Sequence, residues 1–244
     1  MFYNNLLKLF EYESSKVIWC ETKYAYLNEV CEFANTITGI PYVLLSIIGL
    51  VNLYNLKKNN KCLFNLKYSY IDQFEYYNLL YYIFIFVGLF TIYFHGTLSY
   101  VGQLCDEISI LIFISIINTT PEYNPVILLL ELPTMIFFPK LNRFTLFFFA
   151  IIKSKKIFYV HKTVKNLDIK KLLIRCIILF IFSIIFWLID IFYCKYLLFS
   201  LHWLWHILSS YAGYYIITYV LSINIKSTHK IKINYYCFVP YIHI

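Results

Sequence analysis

Charge is scarce in this sequence. Only 14% of its 244 residues are Asp, Glu, Lys or Arg, about half the share that a soluble domain carries. With 61% of the chain hydrophobic, that scarcity excludes a water-exposed globule and leaves no room for a second, soluble domain. The N-terminus lacks the marks of a cleaved signal. Residues 1–16 (MFYNNLLKLFEYESSK) hold two glutamates, no sustained apolar run and no small-residue cleavage site. The first apolar span is therefore expected to direct insertion itself. There is no fixed-period repeat and no low-complexity linker, and none of the seven cysteines has the paired spacing of a structural zinc site.

What the chain does have is a succession of apolar runs, with a mean hydropathy of +0.66. They fall at roughly 34–54, 77–97, 99–119, 125–139, 143–159, 172–194 and 200–223. A helix needs ~20 mostly apolar residues to cross a bilayer, and an unclosed strand in lipid would leave its backbone groups unpaired. The expected fold class is an all-α integral membrane protein, a seven-transmembrane helix bundle. The fourth and fifth runs are short and interrupted by Pro133 and Pro139, so six spans is the alternative count. The expected division is an N-terminal segment (1–33) packing on the active site, a transmembrane catalytic domain (34–224) and a cytosolic tail (225–244). The many Tyr and Phe residues (25 and 23) read as compositional bias and carry no cofactor or nucleic-acid signal. The net charge of +8 sits between apolar spans, which is a membrane pattern and excludes nucleic acid as the partner.

Seven spans place the two termini on opposite faces. Fourteen lysines fall on the C-terminal face, in the loop at 57–67, the loop at 153–171 and the tail. Six basic residues fall on the other: Lys8, Lys16, Lys23, Lys140, Arg143 and Lys195. The positive-inside rule then puts the C-terminus in the cytosol and the N-terminus in a lumen or outside.

Ionisable groups within spans are costly and are functional suspects by default. His95 closes the second span, Asp106 opens the third, and His202 and His206 open the seventh. Even spans end on the N-terminal face and odd spans begin there, so all four reach one layer. His202 and His206 share one helix face a turn apart, ~5.4 Å. That pair alone is as compatible with histidines bonded to backbone or tyrosine; His95 adds a third ligand at matching depth. Three protein nitrogens plus one water make an open, catalytic zinc arrangement. Thr91 lies one turn before His95, where a lone threonine usually bonds its own helix. Asp106 follows His95 across a short turn at Gly96 and is either a base or a helix cap. Glu107 projects about 100° away from it on a helix.

At these residues the sequence resembles the alkaline ceramidases. The resemblance runs through VIWCETKYAYLNEVCEFANT (17–36), FHGTLSYVGQLCDE (94–107), FWLIDIFYC (186–194), LHWLWHILSSYAGYY (201–215) and the tail HKIKINYYCFVP (229–240). It implies zinc ligands at His95, His202 and His206, a catalytic aspartate at Asp106, a hydroxyl at Thr91 in place of a family serine, and a lumenal disulfide between Cys20 and Cys194. The other five cysteines read as small apolar packing residues. The resemblance also implies ceramide as the lipid substrate and an endoplasmic reticulum or Golgi membrane as the location. Family members with a calcium site hold it with side chains that Trp19, Glu21 and Glu32 match, but Ile18 and Lys23 stand where an aspartate and an asparagine are expected. A hard cation wants several oxygens. The departure implies that the Lys23 ammonium replaces Ca²⁺ by pairing with Glu21 and Glu32. Three other readings compete: a related hydrolase acting on another lipid amide or ester, a zinc-containing seven-helix receptor or scaffold, and a transporter with a His/Asp proton relay. The last expects paired discontinuous helices or inverted repeats, and the sequence shows neither.

Overall fold

The computed structural model describes residues 7–17, 19–59, 73–117, 133, 142–197, 199–225 and 231–243. Its helices are α1 (Phe33–Ile37), α2 (Ile40–Asn59), α3 (Gln73–Thr97), α4 (Tyr100–Ile116), α5 (Asn142–His161), α6 (Leu167–Tyr193) and α7 (His202–Asn224), with a 3-10 turn at Cys194–Tyr196 after α6. Stretches Phe33–Lys58, Phe74–Thr97 and Leu167–Tyr196 are long and apolar enough to cross a membrane. The fourth expected span, 125–139, lies outside the described residues except for Pro133.

The first expected span divides in two. The chain breaks at Thr38 and Gly39, and Pro41 then sits in the first turn of α2, where its missing N–H costs nothing. Gly39 also lets the backbone approach α3: a Cβ there would lie 2.9 Å from the Gly88 carbonyl, and one on Gly88 would lie 2.8 Å from the Gly39 carbonyl. Small residues allow helices in lipid to cross at such short range.

α7 is the central post, packed against α6, α2 and α3, while α4 joins α3 to α5. Its residues 217–222 are buried, and the core around it is largely Leu, Ile and Tyr, with Tyr77, Tyr81, Phe84 and Tyr219 sealed from solvent. Buried phenols need partners, and here they bridge helices: Tyr77 donates to the Val220 carbonyl at 3.1 Å and Tyr76 to the Ile116 carbonyl at 2.9 Å. The aromatics that read as compositional bias are thus the packing material.

The chain is mostly helical, and the expectation that it is all-α is corrected at one place, within the expected tail. Strands β1 (Lys232–Tyr236) and β2 (Val239–His243) form an antiparallel hairpin that packs on α7 and α2. Its two-residue turn, Cys237 and Phe238, has both φ values in the left-handed region, 46° and 67°. Such turns match the twist of paired strands and usually announce themselves as Asn-Gly; nothing in Cys-Phe does. Tyr215 and Tyr214 supply the hold by donating to the Phe238 and Pro240 carbonyls, at 2.8 and 2.9 Å.

Candidate metal centre

The turn between α3 and α4 falls at Leu98 and Ser99, two residues beyond the expected Gly96. Leu98 takes a φ of 49°, and the Ser99 side chain caps α4 by accepting from the Gly102 N–H at 3.0 Å. The N-terminal segment is stitched over this turn. Glu13 and Ser15 donate backbone N–H groups to the Thr97 and Leu98 carbonyls, and Cys31 and Glu32 do the same to Gly96 and His95.

The last turn of α3 presents His95, the second turn of α4 presents Asp106, and the first two turns of α7 present His202 and His206. All four are buried. Ligand atoms of the three histidines lie within 4.8 Å of one another. The four side chains and Thr91 line one cavity of about 390 Å³, whose remaining walls are largely Phe, Ile and Leu from α3 to α7.

The surroundings of the rings determine their protonation. A carbonyl only accepts, so His206 must donate from Nδ1 to the Asn35 carbonyl at 3.1 Å, with Thr38 Oγ1 also at 3.0 Å. His95 Nδ1 donates to Glu32 Oε2 at 2.6 Å. In the neutral form of both rings this leaves Nε2 unprotonated and free to bind, the usual way a carboxylate or carbonyl prepares a metal-ligating histidine. His202 differs: its Nδ1 has no protein partner among the described residues, and its ring stacks on Trp19 with centroids 3.7 Å apart. Three clustered imidazoles, two of them oriented through Nδ1, fit a divalent transition metal.

Asp106 Oδ1 accepts from the Thr91 hydroxyl at 2.6 Å, and the Val87 carbonyl is also within reach of that hydroxyl at 2.8 Å. Thr91 thus has the intrahelical partner expected of a lone threonine and the carboxylate as well. Glu107 lines the same cavity but is engaged by other partners: its oxygens accept from Gln103 at 3.0 Å and Asn142 at 2.5 Å, tying α4 to α5.

The residues matching a calcium site do not gather as one. Ile18 lies outside the described residues. Lys23 does not pair with Glu21 and Glu32 as expected; it binds Glu13 at 2.5 Å, where Tyr24 also donates at 3.0 Å. The reason is that both glutamates are engaged inward. Glu21 accepts the Ala34 and Asn35 backbone N–H groups at 2.6 and 2.8 Å, capping α1, and Glu32 serves His95 and Asn35. Burial raises the carboxyl pKa of Glu21, and raises that of Glu32 to about 8. Either protonation state of Glu32 leaves an oxygen to accept from His95. Among the described residues, Glu32 Oε1 and Asn35 Oδ1 are the buried side-chain oxygens there without a protein partner, and a calcium ion takes six to eight oxygens. The Cys20–Cys194 disulfide is present, with Cα atoms 5.3 Å apart.

One acidic residue of the site was not singled out in the sequence. Asp190, buried in α6, accepts at Oδ1 from the Ser200 hydroxyl (2.9 Å) and the backbone N–H groups of Leu201 (2.8 Å) and His202 (3.2 Å), and at Oδ2 from the Cys20 N–H (3.3 Å). A carboxylate inside the apolar run FWLIDIFYC was the available signal.

A buried three-histidine cluster that could hold a metal ion, with an aspartate on the same apolar cavity of a helical bundle, is consistent with a metal-dependent membrane hydrolase. The ceramidase family model matches residues 11–243, and the chain belongs to the alkaline ceramidase family. Membership makes it a hydrolase of a carbon–nitrogen amide bond, implies a ceramide lipid as substrate and, with the three long apolar helices, marks it as a membrane protein. It is similar to alkaline ceramidase 1 of Homo sapiens, at 26% identity over 83% of this chain and 80% of the relative. It is also similar to the alkaline ceramidases of Caenorhabditis elegans (30% identical; 93% of this chain, 89% of the relative) and Caenorhabditis briggsae (30%; 93% and 88%).

Proposed function

We propose that this protein hydrolyses the N-acyl amide of ceramide within the membrane, releasing a sphingoid base and a free fatty acid, with a zinc ion held by His95, His202 and His206. The observation that carries the reading is the clustering of three buried imidazoles in the cavity that also holds Asp106. When bound, zinc supplies Lewis acidity toward the amide carbonyl and lowers the pKa of an attacking water from 15.7 to about 7. Asp106 takes the water's proton as general base and later delivers it to the leaving nitrogen. As Asp106 gains that proton its hold on the Thr91 hydroxyl weakens. The hydroxyl is then free to donate to the developing oxyanion, an interaction worth about 3 kcal/mol. The apolar walls take the substrate's chains and exclude water. Residues 1–33 cover the site, residues 34–224 form the catalytic bundle and residues 225–244 the cytosolic tail. The lysine distribution supports a lumenal N-terminus in a seven-span protein, and the endoplasmic reticulum or Golgi location rests on the family resemblance alone.

Purified protein given ceramide beside an ester-linked lipid of the same chain length should release sphingoid base and fatty acid in equal amounts, and act on the ester more slowly. Faster turnover of the ester would assign the site to a different lipid bond. Calcium has no role in this mechanism, because the side chains that would hold it are committed to α1, His95 and each other. Titrating Ca²⁺, or removing it with a calcium-selective chelator, should change ceramide turnover by less than twofold. Strong, saturable activation would contradict this.

A further inference from the structure

We infer that Asp190 is the positioning residue for His202. The inference rests on the metal-centre reading above and concerns how one ligand is held. Two of the three rings are oriented through Nδ1, His95 by Glu32 and His206 by Asn35 and Thr38. His202 has no such partner among the described residues, so its direction comes from its backbone and from whatever lies against its ring.

Asp190 governs both. His202 is the first residue of α7, and the preceding Leu201 contributes no side-chain cap. The first N–H groups of a helix have no intrahelical acceptor and carry its positive end. The Asp190 carboxylate, reaching across from α6, accepts from the Leu201 and His202 N–H groups and from Ser200, and so caps α7 from outside. Its other oxygen accepts from the Cys20 N–H. That residue is joined to Cys194 four positions beyond Asp190 and is preceded by Trp19, which covers the His202 ring. One buried carboxylate thus fixes the backbone that carries the ligand and the strand that carries its stacking partner. Metal binding is sensitive to such supports: outer partners typically contribute ~10–100-fold in affinity.

The test is the affinity of the full-length, detergent-purified apoprotein for Zn²⁺, measured by competition with a chromophoric chelator, together with the visible spectrum of the Co²⁺-loaded form. Asp190→Asn keeps the shape and one acceptor oxygen but removes the charge and turns an N–H toward Cys20. Asn166→Ala is the matched control: Asn166 caps α6 by accepting from Asp168 and Ile169 at 2.9 and 3.4 Å and is not part of the site. The expected result is Zn²⁺ binding ~10–100-fold weaker in Asp190→Asn with an altered Co²⁺ spectrum, and unchanged binding in Asn166→Ala. Wild-type affinity in Asp190→Asn, or an equal loss in Asn166→Ala, would overturn the assignment. If Asp190→Asn does not accumulate as folded protein, Ser200→Ala takes its place: several-fold weaker binding supports the assignment and unchanged binding overturns it. A wild type that binds no Zn²⁺ overturns it too, but by removing the metal centre. That outcome is distinct from tight wild-type binding that Asp190→Asn leaves intact.

Discussion

Asp106→Asn should retain its metal and lose ceramide turnover by a factor of about 10²–10⁴, the usual contribution of a positioned general base. The amide preserves volume and can still accept from Thr91, so the fold and the histidine cluster should survive. It cannot take a proton from water at neutral pH. The loss should appear in kcat with KM little changed, because Asp106 acts on the reacting atoms and contributes little to holding the lipid chains. Steady-state release of sphingoid base, with metal content measured on the same preparation, checks this. Full turnover in a metal-replete Asp106→Asn protein would remove the base from the mechanism and favour a receptor or scaffold in which the metal is structural.

His206→Ala should have the other large effect, and of a different kind. It deletes one of three nitrogen ligands, so the loss of metal affinity should exceed the ~10–100-fold expected when only an outer partner is changed. It also leaves the Asn35 carbonyl and Thr38 without the ring N–H, a local cost that does not touch Asp106. Activity and metal should therefore fall together, whereas Asp106→Asn separates them.

The heart of this site was legible in the sequence. Spacing alone put His202 and His206 on one face of a helix, and span parity brought His95 and Asp106 to the same end of the bundle; the structure gathers them around one cavity. Periodicity and hydropathy carry such information because they reflect helix geometry, which is local. What was illegible depended on contacts between distant segments. Lys23 was expected to stand in for a cation between Glu21 and Glu32, but sequence does not show that α1 would claim Glu21 or that His95 would claim Glu32. Asp190 sat in plain view within an apolar run, yet its role as a cap for a helix that begins twelve residues later appears only once α6 and α7 pack together. The hairpin at 232–243 escaped because its turn residues, Cys237 and Phe238, have none of the glycine or asparagine preference that marks left-handed backbone. The turn at Leu98 was misplaced by two residues for the same reason, since Gly96 looked the better candidate and remains helical.

The most direct test is elemental analysis of the purified full-length protein, wild type beside His206→Ala, paired with ceramide hydrolysis on the same samples. Near-stoichiometric zinc in an active wild type, with both metal and activity lost in the variant, is the predicted outcome. An active wild type carrying no bound transition metal, or a His206→Ala protein that keeps its turnover, would contradict it.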